Sequence, residues 1–203
     1  LALSSYPKDV ELLGNKGACE GRLGKFDSAE ATLNHALDIH PTYVEAQFNL
    51  AVLYDQHKMF DQAETAYRRV IEVNATHTDA TRNLSELLYR RGRQLAKNGK
   101  SRDAEAVYLA ALEIKPDNDK ARLSLALVCL RRGKFEQGWL NYESRRSGLH
   151  KVSVSPPSMN TNTINRLKEW KGESLLGRTV LIWHEQGYGD QIQFARYLLV
   201  LRQ

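Results

Sequence analysis

Two groups of polar residues in this chain have the types and the spacing that binding or catalysis would need. The first is a turn at residues 184–190, where Gln186, Gly187 and Gly189 would let backbone N–H groups approach an anion such as a phosphate. The second is a series of small polar side chains at regular spacing: Asn15, Asn49, Asn83 and Ser124. An amide offers both a hydrogen-bond donor and an acceptor. A row of amides could therefore clamp an extended peptide backbone without reading its sequence.

The elements around the turn predict how it is positioned. The run Thr179–Trp183 is short, β-branched and flanked by glycine, as in a buried parallel strand. The segment Gln191–Leu201 is amphipathic and predicts a helix. A strand, a glycine turn and a helix are typical of the first β-α unit of a Rossmann-like domain. Asp190 would cap the helix, and His184, at the end of the strand, is either an acid or base or a structural residue.

The regular polar series belongs to an internal repeat. Asn15, Asn49 and Asn83 are 34 residues apart, as are Ala29 and Ala63. Each unit reads as two amphipathic helices joined by a tight turn, with small residues where the helices meet. The pattern resembles the tetratricopeptide repeat. Its units are a partial repeat at 1–9 and four repeats at 10–43, 44–77, 78–118 and 119–146. The sequence thus predicts a mainly α superhelix of about four repeats.

One repeat is longer than the others. Ala63 and Ala104 are 41 residues apart, seven more than the period. Because seven residues make about two helical turns, the first helix of the third unit can lengthen without rotating its buried face. We expect this helix to span Thr78–Lys97 and to protrude from the stack.

The first helix of each unit should line the concave face of the superhelix. The four small polar residues would then project along one groove, and the expected partner is a protein or peptide. The alternative is that asparagine bonds within its own helix at this repeat position.

From residue 138 onward the sequence resembles a second family. The residues that carry the resemblance are Gly138-Trp139, Tyr142-Glu143, Arg145, Trp170, Gly172, Leu176-Gly177 and the run Glu185–Tyr197. They look like the junction in bacterial tetratricopeptide proteins that carry a glycosyltransferase domain related to heptosyltransferases and O-GlcNAc transferase. Residues 147–169 would be a linker, and residues 170–203 would start the first lobe of a two-lobed GT-B fold.

This resemblance implies a function. The parent protein would use a nucleotide-sugar donor, bound by a second lobe that is missing here, and its repeats would recruit the acceptor. Asp190 matches the proposed general base of the heptosyltransferase relatives, a role compatible with capping the helix. The chain would then be a fragment cut at both ends, with no cofactor of its own and no activity alone. The alternative is a non-catalytic scaffold.

Composition and charge also limit the classes of partner, the metal sites and the cellular location that the sequence predicts. The formal charge is +5, and the two signs are mixed along the chain, which indicates solvated helix faces rather than a nucleic-acid footprint. One local cluster, at residues 90–102, is more basic. Cys19 and Cys129 are not spaced like metal ligands. We therefore expect both to be small buried side chains in a protein of a reducing compartment. No apolar run reaches the roughly 20 residues that a membrane span needs, so we expect a cytoplasmic protein with no metal.

Overall fold

The computed structural model describes residues 6–146 together with Ser174 and Leu176. The chain divides into two compact units, Leu1–Arg145 and Arg146–Gln203, and the α-helices below belong to the first. The predicted strand Thr179–Trp183, the turn after it and the helix Gln191–Leu201 lie outside the described residues. The linker at 147–169 lies outside them too.

Eight α-helices form in the described part of the chain, and no strand is found there. They are α1 (Tyr6–Arg22), α2 (Phe26–Ile39), α3 (Val44–Gln56), α4 (Phe60–Val73), α5 (Thr78–Lys97), α6 (Ser101–Ile114), α7 (Asp119–Arg131) and α8 (Phe135–Tyr142), followed by the 3-10 helix Glu143–Arg146. Each helix packs against the next one along the chain. This order confirms the prediction of a mainly α superhelix of paired helices.

The turn inside each helix pair uses a left-handed residue. Gly24, Gly99 and Gly133 have φ angles of 73°, 78° and 75°. Lys58 occupies the equivalent place in the second pair, with a φ of 61°. Glycine adopts this conformation readily because it has no Cβ, whereas a residue with a Cβ is strained by about 1–2 kcal/mol.

Small and large side chains alternate along the second helices, as the repeat predicts. The small residues that touch the first helix are 0% exposed: Ala29, Ala63 and Ala104. The large residues four positions later are 1% exposed: Leu33, Tyr67 and Tyr108. These large side chains fill the space within and between helix pairs. Their packing holds successive pairs together in one array.

Helix α5 has the bounds that the seven-residue insertion predicts, from Thr78 to Lys97. Its first part meets the preceding pair in the usual way, because Asn83 contacts Tyr67, sixteen residues earlier. The last part of α5 packs against α6, its partner helix, in a shifted register. A Cβ on Gly92 would lie 2.5 Å from the ring of Tyr108, sixteen residues later, just as one on Gly17 would meet Leu33. Helix α5 therefore has two packing registers that differ by seven residues.

The expectation that the extra turns of α5 protrude from the stack is wrong. Gly92 is buried, and Leu95 and Ala96 are half-buried against the main apolar cluster. Helix α6 begins at Ser101, directly after the turn, and keeps the 14-residue length of α2 and α4. Helix α6 is displaced along α5 toward its C-terminal end, so α6 covers the additional turns of α5.

Candidate functional site on the concave face

The first helices of the pairs form one layer of the array. Helix α1 contacts α3, and α5 contacts α7, whereas within the described chain the second helices make no comparable contact with one another. In a solenoid of helix pairs, the concave side is the extended surface available for binding. The layer of first helices is therefore the surface on which a ligand-binding groove is expected.

The structure places all four predicted groove residues on this layer, one on each first helix. Asn15 is exposed, and Asn49, Asn83 and Ser124 are half-buried. The spacing of the repeat thus puts one small polar side chain on each successive helix of the concave face.

Asn83 is oriented by the repeat before its own. Its Nδ2 donates a hydrogen bond to Tyr67 Oη at 3.4 Å. Burial and then the nearby Asp55 carboxylate raise the pKa of Tyr67 to about 12, while the bond from Asn83 lowers it. Asn83 therefore bonds to the neighbouring unit, and its Oδ1 and second amide hydrogen make no other hydrogen bond among the described residues.

A similar pair recurs one unit later. Ser124 stands sixteen residues after Tyr108, the same distance that separates Asn83 from Tyr67. Burial raises the pKa of Tyr108, and a hydrogen bond with the Ser124 side chain opposes that rise. The repeat spacing thus places Ser124 near the buried Tyr108 hydroxyl, as it places Asn83 near that of Tyr67.

An ion pair connects α3 to α5 near Tyr67. Nη2 of Arg90 donates to both carboxylate oxygens of Asp55, at 2.6 and 2.7 Å. The Asp55 side chain is only 17% exposed, so the pair is partly shielded from water. Charge-assisted bonds of this kind are stronger than neutral ones. The pair therefore helps to fix the spacing of the helices that carry Asn49 and Asn83.

An aromatic ring between two cations extends the site toward α7. The guanidinium of Arg93 lies 5.8 Å from the centroid of Tyr89, and Lys120 Nζ lies 5.9 Å from the same centroid. Lys120 also pairs with Glu86, at 3.6 Å. This arrangement offers positive charge beside an aromatic face.

The basic cluster at residues 90–102 is partly neutralised. Arg90 pairs with Asp55, and Arg91 pairs with Asp61 at 3.0 Å and with Glu64 at 3.1 Å. Only part of the charge that the sequence shows in this cluster is therefore available to a partner.

Sequence reasoning missed Tyr67, Asp55 and Arg90 as parts of this site. Tyr67 occupies a large-residue position of the repeat and carries no sequence signal for binding. Asp55 and Arg90 are opposite charges 35 residues apart, which is one repeat plus one residue. A search for opposite charges one repeat apart could have found them.

The other predicted site residues cannot be placed. His184, Gln186, Gly187, Gly189 and Asp190 all lie outside the described residues. Their proposed roles in phosphate or acceptor binding and in proton transfer remain predictions.

Two models of the tetratricopeptide repeat match the chain, at residues 9–75 and 89–138. The chain therefore carries tetratricopeptide repeats. The gap between the two matches, residues 76–88, includes the first part of α5. The repeats account for the paired helices, the left-handed turns and the polar series on the concave face.

Solved structures share the tetratricopeptide fold. MamA from AMB-1 superposes with a TM-score of 0.50 at 18% identity, over 79% of this chain and 80% of that one. YrrB, described as a TPR protein with an unusual peptide-binding site, has a TM-score of 0.46 at 15% identity, over 71% of each chain. A mutant O-GlcNAc transferase of Thermobaculum terrenum has 0.41 at 21% identity, over 61% of this chain and 22% of that one. The likeness to MamA concerns the fold alone, and the two lower scores support nothing further. No curated protein matches the chain.

Two other expectations concern membranes and metals. In residues 6–146, no helix combines the length and the apolar character that crossing a bilayer requires. The same part of the chain has no cluster of three His, Cys, Asp or Glu residues that could hold a metal ion. Cys129 is buried as predicted, whereas Cys19 is exposed.

Proposed function

We propose that the concave face binds an extended protein or peptide segment, with Asn15, Asn49, Asn83 and Ser124 as a hydrogen-bonding ladder. The main chain of the bound segment would pair with these side chains, so that binding tolerates many sequences. This proposal makes the repeat region a recruitment module for a protein partner.

The observation that carries the proposal is the state of Asn83. Its amide is half-buried and held by Tyr67 Oη, yet it retains an acceptor and one donor hydrogen for a ligand. A polar group fixed in advance loses less rotamer entropy on binding, which strengthens the interaction. Ser124 occupies the equivalent position of the next unit, near Tyr108.

The test begins with linear 12-residue peptides selected by phage display on the 203-residue chain. A selected peptide is labelled with fluorescein, and its affinity is measured by anisotropy for the parent and for the double variant Asn49→Ala/Asn83→Ala. Each lost hydrogen bond is worth about 0.5–1.5 kcal/mol. The double variant should therefore bind the peptide about 5- to 150-fold more weakly.

Gln94→Ala is the matched control, since it removes an exposed amide of α5 that lies outside the ladder. It should leave the affinity unchanged. If every selected peptide binds the double variant as tightly as the parent, the concave ladder is not the binding site.

The proposal extends to the whole polypeptide. The resemblance of residues 138–197 supports a cytoplasmic glycosyltransferase in which the repeats bring a protein acceptor to a nucleotide-sugar site, with Asp190 as the general base. The alternative is a scaffold that binds proteins without catalysis.

Sugar transfer by the full-length gene product separates these alternatives. With radiolabelled UDP-GlcNAc and other UDP- and ADP-sugars, the enzyme should label a bound acceptor. The variant Asp190→Asn should lower turnover about 100-fold or more, the usual contribution of a general base, while donor affinity is kept. A polypeptide that neither binds nor transfers any of these sugars would be a scaffold.

A further inference from the structure

A groove on the opposite face of the array has features of a second binding site. It runs between α2 and α4, with α3 as its floor, and it consists of two joined cavities of about 350 and 270 Å³. Gln47 and Arg69 line both cavities. From Val44 to Tyr54 the floor measures about 15 Å along α3, the length of four or five residues of extended peptide.

The floor of this groove contains a buried amide with no partner. Gln47 is only 6% exposed, and its side chain makes no hydrogen bond within the described residues. Buried polar side chains in native proteins nearly always have a partner, and leaving one unsatisfied costs about 1–3 kcal/mol. Gln47 lines both cavities, so a ligand in the groove would lie against this side chain.

The equivalent residues of the other repeats explain why Gln47 is unusual. Leu13 packs in an apolar cluster at this position. Thr81 donates to a backbone carbonyl four residues earlier, at 3.1 Å, and Arg122 donates to a backbone carbonyl six residues earlier. Only in the second repeat does the described array keep a buried polar group whose hydrogen bonds are unmade. The fold of the repeat therefore does not require this amide.

A cation lies beside the amide. Arg69 is exposed, and it takes part in no ion pair within the described residues. Asp61, at the far end of the groove, is already paired with Arg91 at 3.0 Å, and Tyr54 Oη donates to Glu30 at 2.7 Å. The groove is therefore lined by a guanidinium and an amide that have no partner within the described residues, and the Glu72 carboxylate lines the second cavity with them.

We propose that this outer groove binds an extended peptide with a carboxylate, whose main chain pairs with the Gln47 amide and whose carboxylate pairs with Arg69. An amide side chain matches the donor and acceptor of a peptide group. A guanidinium matches a carboxylate with two parallel bonds. The site is separate from the ladder on the first helices and does not depend on it.

The experiment uses the same phage library with a subtraction step. Clones that bind the 203-residue chain are depleted on immobilised Gln47→Leu protein, and the survivors are synthesised as fluorescent peptides. They should bind at least tenfold more weakly to Gln47→Leu and to Arg69→Gln, because each change removes one recognition group. Gln56→Leu, at an exposed amide of the same helix, is the matched control and should bind as the parent does.

Peptide variants identify the source of the carboxylate. Amidation of the C-terminus weakens binding if Arg69 reads a chain end, and Asp or Glu→Ala changes weaken it if Arg69 reads a side chain. If neither change matters, or if no clone survives the subtraction, the proposal is overturned.

Stability provides a second readout. Leucine has nearly the volume of glutamine and needs no hydrogen bond, so Gln47→Leu should raise the melting temperature by about 2–4 °C. A lower melting temperature would show that the amide is already satisfied in the folded protein. The groove would then have no unmet group to offer a peptide.

Discussion

The shifted packing of α5 on α6 leads to a sharp prediction for Gly92. Replacing Gly92 with alanine puts a Cβ 2.5 Å from Tyr108 Cε1 and 2.8 Å from Cδ1, well inside van der Waals contact. The ring cannot move away easily, because Tyr108 is 1% exposed and lies 6.3 Å from the ring of Tyr89. The helices must therefore separate or the ring must leave its rotamer.

Two opposing terms set the size of the effect. Alanine inside a helix is favoured over glycine by about 1 kcal/mol. Overpacking of a buried site costs about 1–3 kcal/mol, and the short distance to a rigid ring places this site at the upper end. We expect Gly92→Ala to lower the free energy of unfolding by about 1–2 kcal/mol.

Gly21 on α1 offers a matched control with the same chemical change. A Cβ there would meet Leu53 Cδ1 at 3.4 Å and Ala29 Cβ at 3.9 Å, which are ordinary contacts. The helical preference should therefore prevail, and Gly21→Ala should stabilise the protein by up to about 1 kcal/mol.

Urea denaturation of the 203-residue chain, followed by circular dichroism at 222 nm, measures both variants. The midpoint should fall for Gly92→Ala and rise for Gly21→Ala. The double variant Gly92→Ala/Tyr108→Ala tests the cause, since it removes the ring that the new Cβ would meet and should cost less than the two single changes together. If Gly92→Ala is as stable as the parent, the shifted register of α5 is wrong.

Two further predictions concern a turn and a tyrosine. Lys58→Gly should stabilise the chain by about 0.5–1 kcal/mol in the same urea titration, since it relieves a left-handed lysine; an unchanged or lower midpoint would show that the lysine is unstrained. The folded-state pKa of Tyr67 is raised from 10.0 to about 12, so its contribution to stability is complete below pH 10 and is lost as the pH rises toward 12. The free energy of unfolding should fall less steeply over that window in Tyr67→Phe than in the parent, and equal slopes would contradict the assigned burial.

The sequence predicted α5 from Thr78 to Lys97 because an insertion of two helical turns preserves the apolar face. It could not predict which small residue of α5 meets Tyr108. Ser85 and Gly92 are seven residues apart, so both lie on the same face of the helix. The choice depends on how far α6 slides along α5, and that is fixed by packing around the Tyr108 ring.

The placement of the polar series on the first helices was predictable from the sequence, whereas the outer groove was not. Repeat spacing alone assigns Asn49 and Asn83 to one face. The ion pair of Asp55 and Arg90 depends on how successive pairs are rotated, which no local pattern states. Gln47 looks like any helical glutamine in the sequence, and its burial becomes visible only when α2, α3 and α4 are placed together.

The contacts of α5 with both the second repeat and α6 also limit where this array can be truncated. In a regular array a cut between units leaves complete building blocks on either side. Here a cut between Asn83 and Gly92 would separate the part of α5 that contacts Tyr67 from the part that contacts Tyr108. Helix α5 is thus packed into both the second and the third repeat. We infer that neither repeat can unfold without destabilising the other.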